Sequence, residues 1–576
     1  MASSLTAAVL LVALATSPVA AVAGEERQRT GYRNASGKNE VQNEGGLRVS
    51  VRTGMLKPPR GYTPLEVTLQ NNSPVALQAR LSFAGHYNAG SRVTERTVEV
   101  GPRARVVAWL PVPAQLQAGN LSVDVPGLPR MVQPMYLDDS GNASVLVLGT
   151  VKDFEAATGL REVQAEQEPL FAARFLEERE APRELSSYVG YPAVVVAMDA
   201  TQLPAAVWAV LETYAATGGQ LVLTRPSRDA AERLPMLSAG GRGVAEPYGF
   251  GQVRACHQPG ACGVVLAALS GDVTSGPVNP VGPPPSWERG GALRNGAAPL
   301  LESARAPVGR FLFLIFAFAL AVGPGGLMLA RRRGPVSVLV VVPLVSLFTC
   351  LALVAWSVLV DGFAVHSARY SLTWLDGERS RAVTLGVGAW YANLSPGAVK
   401  LPASSTLLLP EDVGEPPADL DWTHGMTVTD GFLMPRTYRE WGEVSVLPSR
   451  ARLVLRQEGN GLRVQNALGE AIEEGYVRRG NAHYRVPALE DGAEAALQGP
   501  VPASELAQPT DALLASLGSV LYERLLKDKT SFRADLPEGG FIVRTGGQGM
   551  GPLATMKTER EAGAHVVRGQ VQEVKP

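Results

Sequence analysis

The chain has 576 residues, with 53 lysines and arginines against 54 aspartates and glutamates, so its formal net charge is −1. Mixed charge near neutrality, many glycines and prolines and moderate aromatic content are the composition of ordinary folded protein. Outside one arginine triplet no Lys/Arg cluster makes a phosphate-binding stripe, and no basic run is interleaved with aromatics, so nucleic acid is excluded as a partner.

The first apolar segment runs from Leu5 to about Ala15. It reaches Ser17, Pro18 and the small-residue triplet Ala21, Val22, Ala23 before Gly24, Glu25, Glu26 and Arg27 turn polar. This predicts a secretory signal peptide over residues 1–23, too short to span a bilayer, with the mature chain starting near Gly24. Its amino-terminal region lacks Lys and Arg, which keeps an uncleaved anchor as the alternative. Residues 24–45 are polar and predict a flexible leader. From residue 46 to 140, alternating runs such as Leu47, Val49, Val51 and Leu65, Val67, Leu69 are separated by the turns PPRGYTP, QNNSPV and HYNAGS. That pattern predicts an antiparallel β-sandwich.

Residues 141–270 change character. Val145 to Leu148 and Ala193 to Ala197 read as apolar strands, Pro204 to Ala216 as a helix closed by Gly218 and Gly219, and Leu221 to Leu223 as the next strand. Strand, helix, glycine pair and strand predict an α/β unit with a parallel sheet. Cys256 and Cys262 flank the loop CHQPGAC, where Pro259 and Gly260 favour a turn. In an exported region these two predict a disulfide, and a metal site with His257 is the sharper alternative. Residues 271–307, including GPVNPVGPPPSWERGG, form a Pro/Gly-rich linker.

Residues 308–360 predict a transmembrane helical hairpin. No charge interrupts Phe311 to Ala330 or Val336 to Val360, and each matches the roughly 20 apolar residues that cross a hydrocarbon core. Between them stand only Arg331, Arg332, Arg333, Gly334 and Pro335, a turn that the positive-inside rule sets in the cytoplasm. Those arginines could also hold anionic lipid headgroups, but setting the topology explains them sufficiently. Cys350 within the second span reads as a small packing residue. Gly323, Pro324, Gly325, Gly326, Pro343 and Ser346 allow close helix approach, which predicts either packing within the hairpin or contact with another membrane protein.

Residues 361–500 read mainly as strands, with Val383, Leu385, Val387 and Val444, Val446 alternating and GNG at Gly459 to Gly461 making a hairpin turn. Residues 501–576 predict one amphipathic helix between Thr510 and Lys529, carrying Leu513, Leu517, Val520, Leu521 and Leu525 on one face. A terminal strand from Ala564 to Arg568 follows and then frays. Asp421, Trp422, Thr423, His424 and Asp430 bring carboxylates and an imidazole together, though a polar loop explains them. GGQGMG at Gly546 lacks the Lys and Ser/Thr of a Walker motif and reads as a flexible hairpin.

Two resemblances follow from these residues. The segment YPAVVVAMDATQLPAAVWAVLETYAATGGQLVL resembles the core of class I glutamine amidotransferase-like domains. That likeness implies a nucleophilic Cys after a strand with a His nearby, yet neither occurs between Val145 and Leu223, so the domain reads as a degenerate, non-catalytic relative. The run VGPGGLMLARRRGPVSVLVVVPLVSLFTC, then Asp361, Gly362, Phe363, then Leu375, Asp376, then Tyr391 and Pro396, resembles an uncharacterised family of bacterial envelope proteins. The stretches LDWTHGM, FLMPRTYREW and GNGLRVQNALGEAI continue the match over nearly the whole chain. It implies architecture and no activity.

The fold class expected is therefore a multidomain membrane protein: β-sandwich, amidotransferase-like α/β domain, transmembrane hairpin and β-rich C-terminal domain with one amphipathic helix. The expected function is a non-enzymatic, cofactor-free envelope component that meets the lipid bilayer and another membrane protein. The alternative is a small-molecule sensor or enzyme using Asp153 and Asp199, each just beyond an apolar strand of the α/β unit.

Overall fold

The computed structural model describes residues 31–53, 55–58, 61–87, 90–138, 144–164, 167, 169–177, 179–198, 203–224, 245–256, 301, 308–359, 364–392, 394–402, 404–408, 418–435, 437–459, 461–501, 513, 535–547, 549–550, 556 and 558–574. The predicted signal peptide, the linker except Leu301, Asp199, Cys262 and all of the amphipathic helix but Leu513 lie outside them.

The described chain is mostly β-sheet with few helices. It opens with β1 (Tyr32–Asn34), β2 (Lys38–Glu44), β3 (Leu47–Thr53), β4 (Met55–Leu56), β5 (Tyr62–Asn71), β6 (Leu77–Tyr87), β7 (Gly90–Val100), β8 (Arg105–Pro113), β9 (Ala118–Asp124) and β10 (Met131–Asp138). One sheet runs β2-β3-β5-β8, and β7-β6-β9-β10-β4 belong to another. Alternation works as expected: Leu47, Val49 and Val51 of β3, Leu81 and Phe83 of β6 and Leu121 and Val123 of β9 are buried in one core.

A parallel sheet follows. Its elements are β11 (Ser144–Leu148), α1 (Val151–Thr158), β12 (Phe171–Leu176), β13 (Ala193–Val196), α2 (Ala205–Ala216), β14 (Gln220–Leu223), β15 (Ala245–Tyr248) and β16 (Gly251–Ala255). The order is β1-β12-β11-β13-β14-β16-β15, parallel throughout except for β15. The continuous apolar runs of β11, β13 and β14 are buried on both faces, as such strands require. The leader expectation is corrected from residue 31 on. β1 forms the edge of this sheet, and Tyr32, 0% exposed, packs against Phe154, Phe171 and Phe175. One buried aromatic outweighs the polar composition around it.

The apolar region forms α3 (Val308–Leu320), a π-helical turn over Ala321–Gly325, α4 (Gly326–Arg333) and α5 (Val336–Leu359). Pro324 lies in the π turn, where its missing N–H is absorbed by the extra residue. α5 contacts both α3 and α4. Their apolar side chains are bare, Leu339 at 77% and Phe313 at 70% exposed. Among the described residues one helix, Leu312–Arg333 (22 residues), is long and apolar enough to cross a membrane, and Val336–Ala352 is a shorter apolar stretch. Two crossings were expected from composition.

The remaining strands are β17 (Val365–Asp376), β18 (Arg381–Ala392), β19 (Val399–Lys400), β20 (Ser405–Leu408), β21 (Asp419–Asp421), β22 (Thr427–Asp430), β23 (Thr437–Pro448), β24 (Arg452–Glu458), β25 (Gly461–Ala467), β26 (Ile472–Arg479), β27 (Ala482–Val486), β28 (Glu494–Ala496), β29 (Gln498–Val501), β30 (Gly540–Thr545), β31 (Glu559–Gln570) and β32 (Gln572–Val574). Nine of them make the sheet β20-β23-β18-β17-β31-β30-β26-β27-β29, and β28-β25-β24-β32 make a small one. The fraying tail is corrected: β31 is a long interior strand between β17 and β30, because Val566 and Val567 bury on its two faces.

The parts do not stand as separate beads. β19, β22 and β21 join the N-terminal domain's second sheet, which reads β19-β22-β21-β7-β6-β9-β10-β4. Leu420 pairs with Thr94 and Asp421 with Glu95, and Arg92 bonds Asp430 at 3.3 Å. At another junction Tyr248 of β15 packs edge-on to Trp374 of β17 at 5.4 Å and accepts a hydrogen bond from Arg381. Burial there pushes the Tyr248 phenol up to about 12. One contiguous core holds Leu65, Val194, Trp390 and Val566, drawn from the N-terminal sheets, the parallel sheet and the large C-terminal sheet, while Leu453 and Val464 of the small sheet belong to a separate cluster.

Candidate functional site

The parallel strands of the α/β unit run in the order second, first, third, fourth, fifth: β12-β11-β13-β14-β16. The order in which strands are added reverses between β11 and β13, which stay parallel, and open α/β sheets bind ligands at the carboxyl ends of strands flanking such a switch. Of the two sequence-predicted carboxylates, Asp153 follows β11 in the first turn of α1, and Asp199 lies outside the described residues. Gly149, at φ +128°, lines the turn, and a Cβ there would meet the Ala197 Cβ at 3.4 Å. Asp153 is occupied locally. The Thr150 hydroxyl donates to its Oδ2 at 2.6 Å, and its own N–H donates to Thr150 Oγ1 at 3.1 Å. This is an N-terminal cap for α1, a role that the spacing Thr150-x-x-Asp153 announces.

The other sequence constellations also resolve into structure. Asp421 Oδ1 accepts from the Thr423 N–H at 2.8 Å and from its hydroxyl at 2.6 Å. Trp422 N–H donates to Glu95 O at 2.8 Å, so this loop joins two parts of the chain. Glu470 accepts from Gly549 N–H at 2.8 Å and from Thr545 Oγ1 at 3.0 Å, which fixes the described end of the glycine run against the sheet. Among the described residues no group of three or more His, Cys, Asp or Glu could hold a metal. Cys256 is disulfide-bonded and Cys350 is free; Cys262, the third cysteine, lies outside the described residues. Arg331, Arg332 and Arg333 close α4, where Gly334 at φ +85° ends the helix.

Sequence reasoning missed a cleft of about 870 Å³ between the N-terminal domain and the segment after β12, lined by residues 96–99, 105–109 and 179–184 together with Glu177. Two ion pairs brace it: Arg96 with Glu184, and Arg105 with Glu180 at 2.5 Å. Trp109 Nε1 donates to Glu180 O at 2.7 Å, and the Arg174 guanidinium stands 5.7 Å from the Trp109 ring centre. Such braces fix the width of the cleft. Arg179 and Arg183 are exposed on one wall. The signal available in the sequence was the dense charge of EERE at Glu177 to Glu180, which carries no information on its distant partner strand. A second space of about 210 Å³ lies between α5 and the π turn, lined by Val322, Gly325, Gly326, Val338 and Val342.

Against known proteins, no family model matches the chain and no curated protein matches it. Solved structures with some likeness include a Paenibacillus cycloisomaltooligosaccharide glucanotransferase complexed with cycloisomaltoheptaose (17% identity, 28% of this chain, 20% of that one, TM-score 0.13). An Amycolatopsis orientalis exo-chitosanase shares 9% identity over 40% of this chain and 26% of that one, TM-score 0.11. A Bacteroides uniformis beta-glucuronidase shares 7% over 92% and 61%, TM-score 0.13. The chain thus covers less than two thirds of each. Likenesses at these scores carry no argument about fold or activity.

Proposed function

We propose that this chain is an exported, two-pass component of the bacterial inner membrane whose β-rich body stands outside the cytoplasm and acts by binding, without catalysis. The observation that carries the reading is the pairing of strands from either side of the apolar helices. β7 precedes α3 and β21 follows α5, yet Leu420 pairs with Thr94 in one sheet. A hydrogen-bonded sheet is not shared across a hydrocarbon core about 30 Å thick, so the chain between them crosses an even number of times. Zero crossings leave Phe313, Phe316, Leu339 and Phe348 bare in water. Two crossings, by α3 with α4 and then by α5, bury them in lipid, and the arginine turn then faces the cytoplasm.

The same reading assigns the chain to the uncharacterised envelope family that its helix pair and later motifs resemble. It takes the parallel-sheet unit as a degenerate amidotransferase-like domain, supported by its strand order and by the lack of Cys and His between Val145 and Leu223. The space beside the π turn supports contact of the helix pair with another membrane protein. One observation favours a small-molecule sensor instead, the switch in strand order beside Gly149; against it, Asp153 is spent on its own helix.

The test is thiol labelling in a Cys350→Ala background. A membrane-impermeant maleimide should label Val75→Cys and Ala488→Cys in intact spheroplasts, and Gly334→Cys only after permeabilisation. Labelling of Val75→Cys and Ala488→Cys from opposite sides would end the proposal. Release of ammonia from glutamine by the purified chain would end its non-catalytic part.

A further inference from the structure

Backbone register shows what the cleft exposes. β8 is the edge of its sheet, paired only with β5. Asn71 N–H donates to Ala104 O and Ala114 N–H to Gly61 O, so even-numbered residues along β8 turn their backbone groups toward β5 and odd-numbered ones turn them away. Trp109 agrees, since its outward carbonyl accepts from Arg96. The outward positions are therefore Arg105, Val107, Trp109, Pro111 and Pro113. The two prolines have no N–H to offer, which blunts that end of the edge. Arg105 and Val107 keep both groups, and no described residue bonds them. On β7, Val93 N–H donates to Asp419 Oδ1 and Thr97 N–H to Thr423 Oγ1, so odd residues face outward there too. β21 covers β7 only at Thr94 and Glu95, which leaves Glu99 open.

Two short stretches of unpaired strand edge thus line one braced cleft. We propose that the cleft captures an extended peptide segment of a partner protein by strand addition to Arg105 and Val107 of β8. The inference rests on the reading of this chain as a binding component. An in-register row of backbone donors and acceptors is complementary to another backbone, and to few other ligands. A folded domain does not enter a cleft closed on its far side by residues 179–184. Charge selects among peptides. Arg96 and Arg105 are already paired, whereas Arg179 and Arg183 on the far wall, and Glu99 on β7, have no ion pair among the described residues. The favoured segment carries acidic side chains toward Arg179 and Arg183 and a basic one toward Glu99, on alternate positions.

The experiment uses the full chain in detergent, immobilised and panned against a display library of linear ten-residue peptides. Enriched peptides are then synthesised, and their Kd is measured by fluorescence anisotropy. The expected winners are mixed-charge and rich in Asp or Glu. Val107→Pro removes the donor at a position equivalent to Pro111 and Pro113, and should weaken them at least tenfold, while Val107→Thr binds as the parent does. Arg179→Glu with Arg183→Glu should shift the selected peptides toward Lys and Arg. Should Val107→Pro fail to fold, hydrogen exchange on the parent decides, because peptide should slow the amides of Arg105 and Val107 at least tenfold. Absence of enrichment, full affinity in a folded Val107→Pro chain, or unchanged exchange would overturn the proposal. The assay needs no membrane, so its failure leaves the topology reading to the thiol labelling.

Discussion

Gly251 shows how a single hydrogen can set a fold. A Cβ there would stand 2.2 Å from Ala215 O and 2.3 Å from Gly219 O, both backbone atoms that have no rotamer to escape to. Gly251→Ala should therefore destabilise the chain by about 1–3 kcal/mol, read by denaturant unfolding, whereas Gly377→Ala, which meets nothing within 4 Å, serves as the matched control. His483 makes a pH-dependent contribution. Burial, and after it the Arg478 charge, hold its imidazolium form down, so its folded pKa lies below the usual value. A depressed pKa gives stability that is present above the unfolded value of about 6.5 and lost as pH falls through the folded one. His483→Gln should accordingly lose less stability than the parent between pH 7 and pH 5. An equal loss in both chains would remove His483 from the account. At this scale the sequence holds signals where a residue acts on its neighbours, though not all of them are read from it. Thr150 and Asp153 have the three-residue spacing of a cap, yet the sequence reading makes Asp153 a ligand residue, and the cap comes from the structure.

Elements were legible where their signal is periodic, and illegible where one contact decides. The apolar strands β11, β13 and β14, the helix α2 and its closing glycines follow from pattern. β1 does not, because its place depends on Tyr32 finding three phenylalanines that lie 122 to 143 positions on. Tyr32→Ala is expected to cost about 3–5 kcal/mol, the range for removing a buried aromatic, and a chain beginning after Ser36 should show the same loss of thermal stability. A leader without structural weight would show neither. The cysteine loop belongs to this scale as well. Cys256 is disulfide-bonded, and pairing with Cys262 closes so short a loop that the chain-entropy account gives only about 2 kcal/mol. Peptide mapping without reductant should link those two, with Cys350 alone alkylated, and Cys256→Ser should lower stability by that amount.

Long-range pairing sets the whole molecule, and here sequence pattern is weakest. β7 and β21 lie some 326 positions apart, and nothing in either segment names the other. Periodicity foresaw a β-sandwich before the apolar helices and a β-rich region after them, but not that the second would lend three strands to a sheet of the first. The cleft was hidden for the same reason, since its walls come from β7, β8 and the segment after β12. This closure carries a consequence for the apolar helices. Among the described residues none of the body's core clusters includes a residue of α3, α4 or α5, and the described side chains of those helices are mostly exposed. If those helices serve only the membrane, the body does not need them to fold. Replacing residues 302–363 with a long Gly/Ser linker should therefore give an exported, water-soluble chain, because a flexible loop adds only about 0.6 kcal/mol of closure entropy per doubling of its length. Its unfolding midpoint should stay within about 0.5 M urea of the parent's in detergent, a shift near 1 kcal/mol at ordinary slopes. Thiol labelling at Val75→Cys and Ala488→Cys should become uniform in solution. Aggregation of that chain, or a body that unfolds without its helices, would mean that α3 to α5 pack on the body and are not a free-standing membrane unit.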